Sequence, residues 1–262
     1  MNTPIRNSMQ FQDKVIIITG AATGIGRTTA IEFAKRGANV LVADVDEENG
    51  KETTRMINEQ GGKAFFQRVD VSKENEVKAM VDAAVGHFGK INYAFNNAGV
   101  AGGRIDANPL EETLENWQRV IDINLTGVFL CMKHEVKQFL EQGTGGVIVN
   151  TSSILGKQGA PFGGAYTASK HGVMGITKTY AHTFAKQNIR VCAINPSFID
   201  TPLMKKSRID KENPRHMRML KGVPMGRMGT VEEVANGVAF LCSDDASFIT
   251  GLGLNIDGGL LS

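Results

Sequence analysis

A tyrosine and a lysine lie four residues apart, at Tyr166 and Lys170. Residues at i and i+4 share one face of a helix, so the phenol and the ammonium group can interact. Lowering the pKa of a tyrosine from about 10 to about 7 requires ~4 kcal/mol. One cation at ~4 Å supplies about that much at an effective dielectric near 20, before desolvation is subtracted. The pair predicts an acid/base tyrosine, although a core-edge tyrosine beside a solvated lysine has the same spacing.

A glycine-rich segment, Thr19-Gly-Ala-Ala-Thr-Gly-Ile-Gly26, joins a β-branched run to a helical pattern. Glycines let the backbone turn tightly and approach a pyrophosphate held on helix N-terminal amides. The spacing is Gly-xxx-Gly-x-Gly rather than Gly-x-Gly-xx-Gly, and a tight turn without a ligand is the alternative interpretation. The strand-turn-helix context favours a dinucleotide site.

Two aspartates end predicted strands. Asp44, 24 residues after Gly20, can accept hydrogen bonds from the adenosine ribose hydroxyls, and it can also cap the following helix. Asp70 can cap the next helix or contact adenine. Because a carboxylate at Asp44 repels a 2′-phosphate, we expect NAD to be preferred over NADP. Arg27, the nearest basic residue in the turn, is the side chain that could offset this repulsion.

Metal and hydrolase chemistry are not indicated. The histidines show no ligand spacing such as His-Glu-xx-His; they are His87, His134, His171, His182 and His216. The segment Thr151–Gly156 around Ser153 lacks the Gly-x-Ser-x-Gly elbow of a hydrolase nucleophile.

The elements that must position these residues alternate along the chain. Strands are predicted at 15–19, 39–44, 63–69, 91–96, 147–151, 189–195 and 252–256, and helices at 25–36, 47–60, 75–88, 114–140 and 164–186. Thr113 and Ser72 mark helix starts, and Gly37 and Gly61 mark helix ends. The alternation predicts βαβ units with right-handed crossovers, hence an α/β fold with a parallel sheet, as one domain over residues 1–262.

Composition limits the partners. Net charge is +2, from 29 basic and 27 acidic residues, so no nucleic-acid partner is expected. The first 14 residues lack an apolar signal region, and no apolar run approaches the roughly 20 residues that span a bilayer, so no membrane association is expected. Three cysteines in apolar segments predict buried, reduced thiols and a cytoplasmic protein.

Together and in this order, the motifs resemble the short-chain dehydrogenase/reductase family over nearly the entire chain. The matching features are the Thr-Gly-xxx-Gly-x-Gly turn at Thr19–Gly26, Asn-Asn-Ala-Gly at Asn96–Gly99, a tetrad of Asn124, Ser153, Tyr166 and Lys170, and the C-terminal strand at 254–259. Ser153 precedes Tyr166 by thirteen residues, as in that family. Asn195-Pro196-Ser197 departs from the usual Pro-Gly, which leaves the local loop path open.

The resemblance implies a Rossmann-type, doubly wound, seven-stranded parallel sheet with helices on both faces. It also implies hydride transfer between NAD and an alcohol or ketone substrate. By the same resemblance Tyr166 is the general acid/base, Lys170 lowers its pKa and holds the nicotinamide ribose, and Ser153 binds the substrate oxygen. Asn124 positions a water that relays protons from Lys170 to solvent. The cofactor contacts that we expect are Gly20, Thr23, Gly24, Ile25, Gly26, Asp44, Asp70, Val71, Asn97, Ala98, Gly99, Tyr166, Lys170, Pro196, Ile199 and Thr201.

Two alternative functions are an NADP-linked ketoreductase of the 3-oxoacyl type and a non-catalytic dinucleotide-binding regulator. A regulator has no need of the four tetrad residues together.

An irregular stretch at 197–229, with Pro202, Pro214 and Pro224 inside it, predicts a substrate-binding lid. Over 197–221, seven basic residues against three acidic ones give +4, which could steer an acidic substrate. The alternative is a solvated helix with its apolar side chains turned toward an apolar substrate.

A homotetramer is expected from the family resemblance. The predicted helices 114–140 and 164–186 carry apolar residues on more than one face, as interface helices would; they include Val120, Phe129, Val173 and Phe184.

Overall fold

The computed structural model describes residues 10–102, 108–161, 163–202, 204 and 220–262. The strands are β1 (Val15–Thr19), β2 (Asn39–Asp44), β3 (Lys63–Arg68), β4 (Tyr93–Asn96), β5 (Gly146–Thr151), β6 (Ile189–Pro196) and β7 (Gly253–Ile256). The α-helices of the described residues include α1 (Gly24–Lys35), α2 (Glu47–Glu59), α3 (Glu74–Phe88), α4 (Leu114–Ile121), α5 (Gly127–Gln142), α6 (Gly164–Phe184) and α7 (Val231–Cys242). The seven predicted strands are confirmed, with ends shifted by at most two residues.

All seven strands run parallel in one sheet, in the order β3-β2-β1-β4-β5-β6-β7. The chain moves outward from β1 to β3 and then returns to place β4 on the other side of β1. Ligands of such sheets bind in the crevice at the carboxyl ends of the two strands flanking this reversal. The predicted Rossmann-type topology is confirmed, and it brings the glycine-rich turn after β1 beside the segment that follows β4.

Both faces of the sheet are covered, as the long apolar runs of its central strands require. Alternate residues of β1 belong to two separate cores: Val15 and Ile17 face α3, α5 and α6, whereas Ile16 and Ile18 face α1 and α7. Every residue of β1 is buried. The strand ends at the centre of the sheet are therefore held rigidly, which suits them to carry a site.

The predicted helix 114–140 is not one regular helix. It consists of α4 and α5, joined by a π-helical segment at Asp122–Thr126. A π turn holds one residue more per turn than an α turn and is built from the same residue types, so hydrophobic periodicity does not reveal it. Asn124 lies in this segment and is fully buried.

Two further expectations about helix ends needed correction, and one helix was not predicted. Ser72 does not cap α3, because both its hydroxyl and its backbone N–H donate to Asp70 Oδ1, at 2.7 and 3.0 Å. The helix predicted at 164–186 ends as α-helix at Phe184 and continues as a short 3-10 turn through Gln187. The helix α7 was not assigned from sequence; a complete capping box between Thr230 and Glu233 starts it.

A buried polar cluster lies within the core between β4, β5, α5 and α6. The Asn96 Nδ2 group donates to Glu135 Oε2 at 3.0 Å and to Asn150 Oδ1 at 3.1 Å. The Asn150 Nδ2 group in turn donates to Thr177 Oγ1 at 2.9 Å. Glu135 is fully buried, and burial raises its pKa to about 8. The carboxyl group is therefore mainly protonated at neutral pH.

All three cysteines are buried and unpaired: Cys131, Cys192 and Cys242. Burial raises the pKa of each thiol.

Within the described ranges, no helix has the length and apolar character needed to cross a membrane. The same residues hold no cluster of three or more metal-ligating side chains.

Much of the predicted lid, residues 203 and 205–219, lies outside the described residues, as do six of the seven basic residues from which steering was inferred. Among the described residues at the two ends of this segment, Ile199 pairs with Gly229 in a parallel bridge.

The four apolar side chains that suggested interface helices lie in different surroundings. Val120 and Val173 are buried in this chain's own core, and Phe184 packs against it, so the expectation was wrong for these side chains. Phe129 is 41% exposed.

Candidate functional site

The turn after β1 requires its glycines. Gly20 and Gly24 have φ of 64° and 56°, a region that other residues rarely adopt. A Cβ on Gly20 would lie 2.8 Å from Ala98 Cα, and one on Gly26 would lie 2.1 Å from the Gly20 oxygen. The turn therefore packs tightly against the segment after β4. Thr23 precedes α1 without a side-chain cap, so the first amides of this helix are available to an anion such as a pyrophosphate.

Asn97 ties the ends of β1 and β4 together. Its Nδ2 group donates to the backbone oxygens of Thr19 and Gly20, at 3.2 and 3.1 Å. The Thr19 hydroxyl accepts from the backbone N–H groups of Asn97 and Ala98, at 3.0 and 3.1 Å. These four bonds fix the glycine-rich turn at the switch point of the sheet.

A cleft of about 450 Å³ opens above these strand ends. Its lining includes the glycine-rich turn, the end of β2, the segments after β3 and β4, and the residues Thr201 and Pro202. The predicted residues that line it are Gly20, Thr23, Gly24, Ile25, Asp44, Asp70, Val71, Asn97, Ala98, Gly99 and Thr201. The uncapped start of α1, the close-packed glycines and the carboxylate of Asp44 in the lining fit a dinucleotide, which has a pyrophosphate and ribose hydroxyls.

Asp44 is held in place by backbone donors. Its Oδ2 accepts from Ala22 N at 2.9 Å and its Oδ1 from Asp46 N at 3.0 Å, so the carboxylate is fixed at the rim of the cleft. The guanidinium of Arg27 is directed elsewhere. Its Nε donates to Thr53 Oγ1 at 2.9 Å, and one terminal nitrogen bonds to the side chain and the backbone of Asn49, both at 3.2 Å. Arg27 is thus engaged by α2 rather than free beside Asp44.

Tyr166, Ser153 and Lys170 lie close to one another beside the cleft, and none of them belongs to its lining. The Lys170 Nζ lies 5.4 Å from the centre of the Tyr166 ring and donates to the Thr151 oxygen at 2.8 Å. Ser153 hydrogen-bonds to the phenol of Tyr166. A Cβ on Gly99, which lines the cleft, would lie 3.7 Å from Lys170 Nζ. Lys170, and with it the neighbouring Tyr166, therefore lies close to the part of the cleft that Gly99 lines.

Asn124 lies next to this group but its side chain is engaged locally. Its Oδ1 accepts from Val100 N at 2.8 Å, and its Nδ2 donates to Val100 O at 2.9 Å and to Ser169 Oγ at 3.3 Å. The π-helical segment makes this possible, because its wider turn carries Asn124 toward the segment after β4. Asn124 thus ties that segment to α6.

Burial acts on both titratable groups of the site. It raises the pKa of Tyr166, and the hydrogen bond from Ser153 opposes that rise. It lowers the pKa of Lys170 to about 8. The contacts within the chain therefore do not by themselves lower the pKa of Tyr166, contrary to the expectation from spacing, since Lys170 is itself desolvated and bonds to Thr151.

Comparisons with known proteins agree with this geometry. The model of the family described as enoyl-(acyl carrier protein) reductase matches residues 20–261. A cyclohexanol dehydrogenase of Acinetobacter sp. is 43% identical over 97% of this chain and 98% of its own. The chain belongs to the short-chain dehydrogenase/reductase family.

Two further members of the family are similar over almost their whole length. A 2,5-dichloro-2,5-cyclohexadiene-1,4-diol dehydrogenase of Sphingobium indicum is 40% identical over 94% of this chain and 96% of its own. An NAD⁺-bound xylitol dehydrogenase has a solved structure with a TM-score of 0.90, at 35% identity, covering 95% of this chain and 100% of its own. This short-chain dehydrogenase/reductase transfers a hydride between a nicotinamide dinucleotide, NAD(H) or NADP(H), and an alcohol/carbonyl pair.

Not every predicted contact of this short-chain dehydrogenase/reductase lines the cleft. Tyr166 and Lys170 lie beside it and not in its lining. Gly26 packs against the backbone of Gly20 within the turn, Pro196 ends β6, and Ile199 lies in the bridge to Gly229. The chain beyond Pro196 follows β7, because Ser197 N donates to Ile256 O at 3.1 Å. Sequence reasoning did not include eight of the lining residues among the predicted contacts: Ala22, Ala43, Val45, Asp46, Val69, Val100, Ile123 and Pro202. Each lies within two residues of a predicted site residue, which was the available signal.

Proposed function

We propose that this short-chain dehydrogenase/reductase is an NAD-dependent dehydrogenase of secondary alcohols carried on a six-membered carbon ring. The observation that carries the proposal is the grouping of Ser153, Tyr166 and Lys170 beside the part of the cleft that Gly99 lines, in a cleft that Asp44 also lines. The ring alcohol is supported by the names of the relatives from Acinetobacter sp. and Sphingobium indicum, which act on cyclohexanol and on a cyclohexadiene diol.

Tyr166 and Ser153 act on the substrate oxygen. In the oxidation, Tyr166 takes the hydroxyl proton while Ser153 donates a hydrogen bond to the same oxygen. In the reduction, Tyr166 gives a proton to the carbonyl oxygen, and Ser153 again donates to that oxygen. A nicotinamide bound in the cleft supplies or accepts the hydride. A positioned acid/base contributes roughly 10²–10⁴-fold to the rate, and an oriented donor about 10²–10³-fold.

Lys170 supports the phenol with its positive charge and binds the nicotinamide ribose. Its pKa of about 8 leaves the ammonium largely protonated at neutral pH, while the proton is mobile enough to be relayed. Asn124 supports the water that carries this proton to solvent. Both polar atoms of its side chain bond to Val100 or Ser169, so Asn124 acts by holding these two residues in place around the water.

NAD is the proposed cofactor because of the charge at the ribose end of the cleft. Asp44 can accept a hydrogen bond from a 2′-hydroxyl, whereas a 2′-phosphate would be repelled. Like unit charges at ~4 Å cost ~4 kcal/mol at an effective dielectric near 20, and half of that still gives a preference above tenfold. Arg27 does not offset the repulsion, since its guanidinium is engaged by Thr53 and Asn49.

The Asp44→Ala variant should lose most of the preference for NAD over NADP, and its kcat/KM with NAD should fall. The ratio of kcat/KM values for the two cofactors measures this. Asp46→Asn is the matched control, because it removes a charge two residues away while the amide oxygen can still cap α2 through Asn49 N. A wild-type ratio at or below one, or an Asp44→Ala variant that stays strongly selective for NAD, would contradict the role of Asp44.

The alternative of an NADP-linked 3-oxoacyl ketoreductase is supported by a relative of Thermotoga maritima named 3-oxoacyl-[acyl-carrier-protein] reductase, which is 39% identical over 97% of this chain. It would use the same Tyr166 and Lys170 but requires a 2′-phosphate beside Asp44. A non-catalytic regulator would not need Ser153, Tyr166 and Lys170 grouped beside the cleft.

We also propose a single NAD-binding domain over residues 1–262 with a lid at 197–229, a homotetramer and a cytoplasmic location. Exposed apolar side chains support the assembly. Phe129 and Leu140 on α5 are 41% and 45% exposed, and near the β7 edge of the sheet Phe248 is fully exposed and Leu252 is half-exposed. Side chains of this kind are typical of subunit interfaces.

The proposed function is tested with purified protein, NAD and paired alcohols, by nicotinamide absorbance. We expect cyclohexanol to be oxidised with a kcat/KM at least ~10-fold above that of open-chain 2-hexanol, the control of equal carbon number. Faster turnover of a 3-oxoacyl thioester with NADPH would favour the ketoreductase instead. Absence of turnover with every alcohol and ketone tried would contradict both.

A further inference from the structure

The helix that carries Tyr166 begins without a cap of its own. The residue before α6 is Gly163, which has φ of 65° and no side chain to accept a hydrogen bond. The first turn of a helix exposes backbone N–H groups that have no partner within the helix. Tyr166 lies in this first turn, so the placement of its phenol depends on how these groups are held.

A carboxylate from a distant part of the chain supplies the missing acceptor. Glu112, which lies shortly before α4, accepts from Ala165 N at 3.0 Å through Oε2. Its Oε1 accepts from Asn116 Nδ2 at 2.7 Å. The Glu112 carboxylate therefore bridges the first turn of α4 and the first turn of α6. Negative charge at a helix N-terminus is also favoured by the helix dipole.

The local sequence allows this close approach. A Cβ on Gly164 would lie 3.2 Å from Glu112 Oε2, closer than most side-chain contacts permit. On the α4 side, the Thr113 hydroxyl accepts from Asn116 N at 3.1 Å, which fixes the start of the helix that anchors Glu112. Both partners of the bridge are thus shaped to receive the carboxylate.

We propose that Glu112 is a positioning residue for Tyr166, acting from outside the cleft by fixing the first turn of α6. This inference rests on the proposed role of Tyr166 as acid/base. Ala165, which donates to Glu112, is the direct neighbour of Tyr166 in the chain. Lys170 is anchored independently, because its Nζ bonds to Thr151 O and its backbone oxygen accepts from Ser152 Oγ at 3.0 Å. Loss of Glu112 therefore displaces Tyr166 more than Lys170.

The kinetic test compares Glu112→Ala, Glu112→Gln and Glu111→Ala. Displacing a reacting group by about 1 Å can cost up to 10²-fold in rate, so we expect kcat of Glu112→Ala to fall at least ~10-fold. The Kd for NAD and the number of NAD sites per chain should stay within about twofold of the wild-type values. The solvent deuterium isotope effect on kcat should rise, because proton transfer to Tyr166 becomes rate-limiting. Glu112→Gln keeps an oxygen for Ala165 N and should recover most of the rate. Glu111→Ala, the adjacent carboxylate, should match the wild type.

Two outcomes would overturn the proposal in this test: a kcat of Glu112→Ala within twofold of wild type, or a fall in kcat matched by an equal loss of NAD sites. Hydrogen exchange of the Ala165 and Tyr166 amides provides a readout that needs no substrate. It should be faster in Glu112→Ala than in Glu111→Ala, and equal rates would show that the carboxylate does not fix this turn. If the wild type oxidises no alcohol, the proposed function fails, while the exchange result still decides whether Glu112 holds α6.

Discussion

Replacing Tyr166 by phenylalanine is expected to lower kcat by 10²-fold or more while changing the Kd for NAD by less than about threefold. Phenylalanine retains the ring that lies 5.4 Å from the Lys170 ammonium, so the packing and the cleft remain. Only the titrating hydroxyl and its hydrogen bond with Ser153 are removed. The rate effect matches the roughly 10²–10⁴-fold contribution of a positioned acid/base. Steady-state kinetics together with NAD titration measure the two quantities separately.

The same helix offers a matched control for this variant. Tyr180 lies on α6 and packs against Phe184 with ring centroids 5.5 Å apart, away from the cleft. Tyr180→Phe makes the same chemical change and should retain wild-type kcat. A Tyr166→Phe variant with more than a tenth of the wild-type rate would refute the assignment of Tyr166.

The second large effect concerns stability and arises from Glu135. A glutamate in the unfolded chain ionises near pH 4.5, whereas burial raises the pKa of Glu135 in the folded protein to about 8. Between these values the folded state binds one more proton than the unfolded chain, so the free energy of unfolding falls as pH rises. Below 4.5 and above 8 this contribution is flat. Over the whole window the fall is at most about 5 kcal/mol, at 1.36 kcal/mol per pKa unit.

Glu135→Gln should remove this pH dependence and make the protein more stable than the wild type at pH 8. The substituted glutamine keeps the volume of the side chain, and one end of its amide can accept the bond from Asn96. Urea denaturation at pH 5, 6, 7 and 8, at one protein concentration, measures the difference. Glu141→Gln on the same helix is the control, because Glu141 is exposed and pairs with Lys137. Parallel pH profiles for wild type and Glu135→Gln would show that Glu135 is ionised in the folded state.

The parts of the fold that sequence predicted are those set by local pattern. β-branched runs such as Val15–Thr19 are buried on both faces, and a run of this kind between two helical stretches has few other interpretations. The glycine-rich turn was recognisable because positive φ and close packing restrict residue choice at Gly20 and Gly26. Asp44 followed from its place at the end of β2.

The parts that were missed depend on contacts between distant residues. The π-helical segment at Asp122–Thr126 has the same residue types as an α-helix, and the side chain of its Asn124 bonds to Val100 and Ser169, which are distant in sequence. Glu135 has the polarity of a solvated helix position, yet it faces Asn96 in the core. The direction of Arg27 was set by Thr53 on α2, twenty-six residues further along the chain. None of these partners is indicated by local spacing.

The three buried thiols can report local unfolding of the helices and the strand that carry them. A cysteine reacts with an alkylating reagent as the thiolate, and burial both shields these thiols and keeps them protonated. Their labelling is therefore limited by how often the surrounding element opens. Cys131 lies on α5, Cys192 on β6 and Cys242 on α7, so they sample a helix on each face of the sheet and a strand between them. Three labelling rates from the unmodified chain would rank the local stability of these elements without an engineered probe.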